Sequence, residues 1–157
     1  MKTSILAVGR SRAGPERMLT DDYRARFDAL GRGMGYGPLD IVEIDAKGAG
    51  REAEGARLLD RLPRDHRLVA LDERGGTMDS AAFSEFLATT RDDGAPGIAF
   101  AIGGADGHSQ AVRERAGRLL SFGKMTWPHM LVRAMLAEQL YRALAIAANH
   151  PYHREGP

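Results

Sequence analysis

Short apolar runs punctuate this chain at wide intervals, and the residues between them carry helical rather than extended periodicity. Ser4–Val8, Leu39–Ile44, Leu68–Leu71 and Ile98–Ile102 are rich in Ile, Val and Leu and read as strands, with a weaker run at Leu119–Phe122. Between them, Tyr23, Phe27 and Leu30 fall at i, i+4 and i+7; Leu58, Leu59 and Leu62 share a stripe; Ala82, Phe83, Phe86 and Leu87 form another. Strands alternating with amphipathic helices predict an α/β chain, a mostly parallel sheet flanked by helices on both faces. With 157 residues, 43% of them apolar and 27% charged, one compact domain over 1–157 can bury such a sheet. Gly31–Gly37 and Lys47–Gly50 are too short to separate two cores and read as loops.

Several function classes fall away. The chain has no cysteine, which removes disulfides, thiolate catalysis and cysteine-ligated metals and fits a reducing, cytoplasmic setting. The apolar start of the chain is broken at Gly9-Arg10, too early for a signal peptide, and no segment has the length of a membrane span. A formal charge of +1 does not announce a nucleic-acid binder. Arg outnumbers Lys, and its planar fork suits phosphate, but the same bias follows from a GC-rich genome.

In an open parallel sheet, ligands bind beyond the carboxyl ends of the strands. Three such exits are glycine-bearing: Leu71-Asp72-Glu73-Arg74-Gly75-Gly76, Gly103-Gly104-Ala105-Asp106-Gly107, and Ser121-Phe122-Gly123-Lys124-Met125-Thr126-Trp127-Pro128. Glycines here serve either tight turns or close backbone approach of a ligand. Neither Gly103–Gly107 nor Gly9–Gly14 matches a dinucleotide fingerprint or a P-loop, which argues against NAD and ATP. A ligand held by exposed backbone groups remains.

Pro128-His129 opens a long helix that is apolar around most of its circumference. His129, Arg133, Leu136 and Leu140 lie near one line; Leu131, Met135, Glu138 and Arg142 lie near the opposite one. Such a helix needs cover on several sides, and a second copy in a two-fold dimer is the simplest cover. Glu138 and Arg142 stand one turn apart and can simply pair. His129 is either a substrate contact or base, or a satisfied structural group. His108, His129, His150 and His153 match no zinc spacing, so no metal is expected. The polar, aromatic tail Asn149-His150-Pro151-Tyr152-His153-Arg154 reads as a working part.

Taken together, Ile102-Gly103-Gly104-x-x-Gly107, Leu120-Ser121 leading to Thr126-x-Pro128-His129-x-x-x-Arg133, Glu138-Gln139-Leu140-Tyr141-Arg142-Ala143 and His150-Pro151-Tyr152-His153-Arg154 resemble the ribosomal RNA large-subunit methyltransferase H family, with Leu71-Asp72-x-x-Gly75 in register. The resemblance runs the whole length and is least diagnostic in the amino-terminal third. It implies a SPOUT-type fold whose carboxy-terminal segment threads a deep trefoil knot. It also implies a homodimer that transfers a methyl group from S-adenosylmethionine to N3 of a pseudouridine of 23S rRNA in the assembled ribosome.

By the same resemblance, Leu71, Gly103, Gly104 and the segment Phe122, Gly123, Lys124, Met125, Thr126 and Trp127 bind the cofactor. His129, Arg133, Glu138 and Arg142 bind substrate, and Tyr152, His153 and Arg154 are catalytic, the tail entering the partner's site or closing over its own. Two departures fall in the cofactor loops: Ala105 where the family commonly has proline, and Phe122-Gly123 where Leu-Ser is usual. Both bear on loop rigidity and affinity. The other reading is a non-catalytic ribosome- or RNA-binding dimer of the same fold.

Overall fold

The computed structural model describes residues 1–46 and 48–155. Its strands are β1 (Lys2–Val8), β2 (Leu39–Ile44), β3 (His66–Gly76), β4 (Gly97–Ile102) and β5 (Arg118–Leu120). Its helices are α1 (Pro15–Gly31), α2 (Gly50–Arg61), α3 (Ser80–Asp92), α4 (Gln110–Arg115) and α5 (His129–Ala147), with single 3-10 turns at Arg32–Met34 and Pro151–Glu155. The strands form one sheet in the order β2-β1-β4-β3-β5, every pairing parallel. The expected α/β architecture is what the chain adopts.

The two-residue period of the strands divides the core between the faces of the sheet. Ile5, Ala7, Val69, Ile98, Phe100 and Ile102 point to one face, where Phe27 of α1, Phe83 and Leu87 of α3, and Leu136, Leu140 and Leu144 of α5 cover them. Leu6, Val8, Leu68, Ala70, Ala99 and Ala101 point to the other, against Leu58 of α2 and Val112 of α4. Beta4 therefore presents Ile-Phe-Ile to the side with three helices and alanines to the side with two. Each large side chain buried this way contributes about 1.5–3 kcal/mol. The stripes read from the sequence are the ones that pack, except that Ala82 is exposed. Asp79 caps α3 by accepting from the Ala82 N–H at 2.7 Å, and Ser109 caps α4 by accepting from Val112 at 3.3 Å.

Beyond strand starts that fall one or two residues earlier than expected, several boundaries differ from the sequence expectation. Beta3 continues through Asp72–Gly76 instead of ending at Leu71, because its pairing with β5 shifts register and resumes at Gly76–Leu120. Beta5 ends at Leu120, where the Ser121 hydroxyl bonds to both the N–H and the carbonyl of Gly123 and turns the chain. The Gly31–Gly37 loop contains a helical turn closed by Gly35 at φ +82°. Of the Lys47–Gly50 loop, Lys47 lies outside the described residues, and Gly50 already begins α2.

Candidate active site

The exits of β3, β4 and β5 converge on one cavity of about 330 Å³. Leu71, Gly103, Gly104, Phe122, Gly123, Met125, Thr126 and Trp127 all line it; of the residues expected to hold a cofactor, Lys124 alone is not in its wall. His129 and Val132 close it from the first turn of α5. Backbone approach, rather than turn geometry, explains two of the glycines. At Gly75 a Cβ would lie 2.6 Å from the Leu119 carbonyl carbon and the Leu120 nitrogen, so only glycine lets β5 lie beside β3 and start the Ser121–Trp127 loop there. At Gly104, whose φ is not positive, a Cβ would meet the Glu54 carboxylate at 2.9 Å and Val8 at 3.3 Å.

The polar groups behind the cavity were not all legible. Asp72 is buried and pairs with Arg113 at 2.7 Å while accepting from the Arg74 N–H at 2.9 Å. Burial pushes its pKa up, but the Arg74 N–H and the Arg113 guanidinium outweigh that and hold it below the ordinary carboxylate value. His108, one of the histidines weighed for metal binding, is buried beside them and lies 3.3 Å from the Ala101 carbonyl, to which a neutral ring donates through Nε2–H. Burial lowers its pKa, so the ring is neutral. Among the described residues, no three His, Asp or Glu side chains are grouped to hold a metal ion. Glu54, on α2, carries a buried oxygen, Oε2, with no hydrogen-bond partner among the described residues. A lone acid on an amphipathic helix gave no sign of this in the sequence.

A second, larger and more apolar cavity of about 670 Å³ lies between α1, the start of α3 and α5. It shares Ser121, Phe122 and Gly123 with the first and adds Leu19, Tyr23, Leu131, Met135 and Glu138. Residues of three helices make up much of its wall, whereas residues of three strand-exit loops surround the smaller cavity. The smaller one therefore suits a ligand recognised through peptide N–H and C=O groups.

The residues expected to bind substrate separate. His129 lines the loop cavity. Arg133 is turned into the interior, 2% exposed, donating to the Gly9 carbonyl at 3.2 Å and standing 3.7 Å from Glu43. In this chain it anchors α5 to the exit of β1. Glu138 and Arg142 pair at 2.7 Å and receive the tail.

That tail begins where Asn149, at φ +51°, reverses the chain after α5. Tyr152 folds back onto the helix: its hydroxyl donates to Glu138 Oε1 at 2.9 Å and lies 3.2 Å from the Tyr23 hydroxyl. Its ring lies 4.8 Å from that of Tyr141 and under the Arg142 guanidinium. Burial, reinforced by the bonds to Tyr23 and Glu138, raises the Tyr152 pKa far above the ordinary phenol value. It is thus a hydroxyl donor, not a phenolate base. His153 and Arg154 are exposed, and none of the three tail residues lines either cavity. From Val132 to Tyr141 the helix rises roughly 13 Å, so the tail docks well away from its own loop cavity.

Residues 1–153 match the family model described as predicted SPOUT methyltransferase. The chain is 56% identical over 155 residues to the ribosomal RNA large subunit methyltransferase H of Dinoroseobacter shibae, and 54% identical over 155 residues to that of Ruegeria pomeroyi. Each alignment covers 98% of this chain and 99% of the relative. Among solved structures, the SpoU methyltransferase AviRb of Streptomyces viridochromogenes, crystallised with AdoMet, is similar at TM-score 0.43 and 20% identity, covering 94% of this chain and 58% of that one. The cavity built from three strand exits thus belongs to an enzyme: the chain is a member of the SPOUT methyltransferases, in the ribosomal RNA large subunit methyltransferase H family.

Proposed function

We propose that this protein methylates large-subunit ribosomal RNA, taking the methyl group from S-adenosylmethionine and placing it on N3 of a pseudouridine of 23S rRNA in the assembled ribosome, in the cytoplasm. The observation that carries the reading is the convergence of three glycine-bearing strand exits on one cavity of small-molecule size, with the polar carboxy-terminal tail docked on a different part of α5. The cavity fits the donor: backbone groups of Gly103, Gly104, Phe122, Gly123 and Met125–Trp127 supply donors and acceptors, and Leu71, Ile102 and Trp127 supply apolar walls for adenine. The bound donor supplies a methyl group already activated by its sulfonium sulfur. What remains for this chain is in-line placement, exclusion of water and removal of the N3 proton.

The tail serves those last tasks, in the cavity of a partner subunit. Leu131, Met135 and Glu138 line the larger cavity beside α1, where Met18 is 72% and Leu19 45% exposed. A second copy laid on that face covers the apolar line of α5 and brings one chain's tail to the other's loop cavity. There Arg154 contacts phosphate or the uracil oxygen on which charge develops. Tyr152, held by Glu138 and Arg142, places the base. His153 takes the proton, imidazole being the side chain suited to that at neutral pH. His129 contacts the nucleotide from the cavity rim. A threaded, knotted carboxy-terminal segment belongs to the same reading and keeps the Ser121–Trp127 loop and α5 in one rigid unit. A formal charge of +1 suits docking on a large preformed surface by shape and a local basic patch.

Purified protein, methyl-tritiated S-adenosylmethionine and ribosomes from a strain lacking the mark provide the test. Label at the pseudouridine N3 is expected. No donor binding at high micromolar concentration, and no transfer, point instead to a non-catalytic ribosome-binding dimer.

A further inference from the structure

One buried carboxylate oxygen near the loop cavity is left without compensation among the described residues, whereas the exposed Glu73 and Asp106 of its wall stand in water. Asp72 is neutralised by Arg113, and Glu43 accepts from the Ser11 N–H at 2.8 Å and faces Arg133. Glu54 has neither kind of partner: its Oε2 is buried and unbonded, and no guanidinium, ammonium or imidazolium stands within ion-pair distance among the described residues. Arg51, one turn earlier on α2 and in the cavity wall, lies 3.7 Å from Glu52 instead. The Glu54 carboxylate packs directly on Gly104, with Oε2 2.9 Å and Oε1 3.3 Å from where a Cβ would stand, so only a glycine separates it from the cavity.

A carboxylate oxygen removed from water is costly unless a positive charge or a donor compensates it. Such a group persists when the missing compensation arrives with a ligand. We propose that Glu54 is the counter-charge for the cationic methyl donor, acting across Gly104 on the positive sulfonium. The inference rests on the donor reading given above.

Its consequence is discrimination between donor and product. S-Adenosylmethionine carries the sulfonium charge, and S-adenosylhomocysteine, left after the methyl group departs with the bonding pair retained by sulfur, is neutral there. All other groups of the two molecules are shared. An anion with one oxygen removed from water behind Gly104 therefore favours the donor, and its grip is lost once the methyl group has gone. Gly104 is part of the same device: it removes the side chain that would stand between anion and cavity.

Isothermal titration of S-adenosylmethionine and S-adenosylhomocysteine into the native protein, Glu54→Gln and Glu54→Asp tests this, with melting curves as the control for folding. The native protein should prefer the donor. In Glu54→Gln the donor should bind about tenfold more weakly and the product within about twofold of native, while Glu54→Asp, which keeps the charge, should keep the preference. Equal weakening of both ligands in Glu54→Gln assigns Glu54 a merely structural or ammonium-binding part and overturns the proposal, as does no change in either. If Glu54→Gln does not fold, equal affinity of the native protein for the two ligands, or loss of the preference in Glu54→Asp, overturns it alone. Absence of any binding to the native protein instead defeats the donor reading on which the proposal stands.

Discussion

Gly75 and Gly76 are adjacent, yet the structure assigns them opposite sensitivities. A Cβ on Gly75 would lie 2.6 Å from two backbone atoms of β5, where ordinary contact begins at 3.4 Å, whereas a Cβ on Gly76 meets nothing within 4 Å. Gly75→Ala therefore has to push β5 back by 0.8 Å, and no flexible side chain is there to yield. Such a movement takes the Ser121 N–H to Gly76 carbonyl bond, now 2.9 Å, out of hydrogen-bonding range. Overpacking costs about 1–3 kcal/mol and the lost bond about 1 kcal/mol. At about 2–4 °C per kcal/mol for a chain of this size, the melting temperature should fall by roughly 4–16 °C. Because β5 leads directly into the loop that lines the cavity, donor affinity should also drop, by about tenfold, at temperatures where the variant is folded. Gly76→Ala should change neither quantity. Differential scanning calorimetry and isothermal titration on the pair decide it; a Gly75→Ala variant matching Gly76→Ala in both would show that β5 does not rest on Gly75.

Other perturbations follow from single sites. Truncation after Asn149 should leave a folded protein with native donor affinity and no methylation of ribosomes; retained transfer would remove the tail from the reaction. His108 has its pKa lowered by burial, so the unfolded chain takes up a proton that the folded one refuses, and stability should fall as pH drops below about 6.5. Urea melts of the native protein and His108→Leu between pH 5 and 7.5 should show that slope in the first and a weaker one in the second; parallel curves would contradict it. Arg133 is the largest fully buried side chain, so Arg133→Ala should cost about 2–4 kcal/mol through the cavity it leaves. Arg133→Met should recover most of that, since two of its nitrogens make no hydrogen bond and the Glu43 contact is a long 3.7 Å, and an equal loss in urea melts would mean the charge itself is required.

Periodicity sufficed for the sheet because four of the strands are compact Ile/Val/Leu runs and α1, α2 and α3 each carry an apolar stripe; Phe27, Leu58 and Phe83 are core residues for the reason their spacing gave. It failed at the end of β3, where Asp72-Glu73-Arg74 reads as polar loop but the strand runs on to pair again with β5 at Gly76. The cavity wall was legible because parallel sheets place ligand loops at strand exits, and glycines there are visible in the sequence. Arg133 misled because a charged residue on a helix is normally at the surface, and its inward turn depends on the Gly9 carbonyl and Glu43, which lie far away in the chain. Glu54 was silent for the same reason: its isolation is a property of what surrounds it in three dimensions. The tail was read as active from composition, while its docking through Tyr152 on Glu138 and Tyr23 needed coordinates.

The most direct test of the two-subunit site is complementation between two inactive variants, Gly104→Val, whose side chain meets Glu54 and Val8 and forces the Gly103–Gly107 wall of the loop cavity out of place, and the chain truncated after Asn149, which lacks the tail. Unfolded and refolded together in equal amounts, they should regain about a quarter of native methyl transfer to ribosomes, because half the dimers then hold one cavity and one tail intact across the interface. A mixture as inactive as its components, despite proven exchange of subunits, would mean that each tail serves its own chain's cavity.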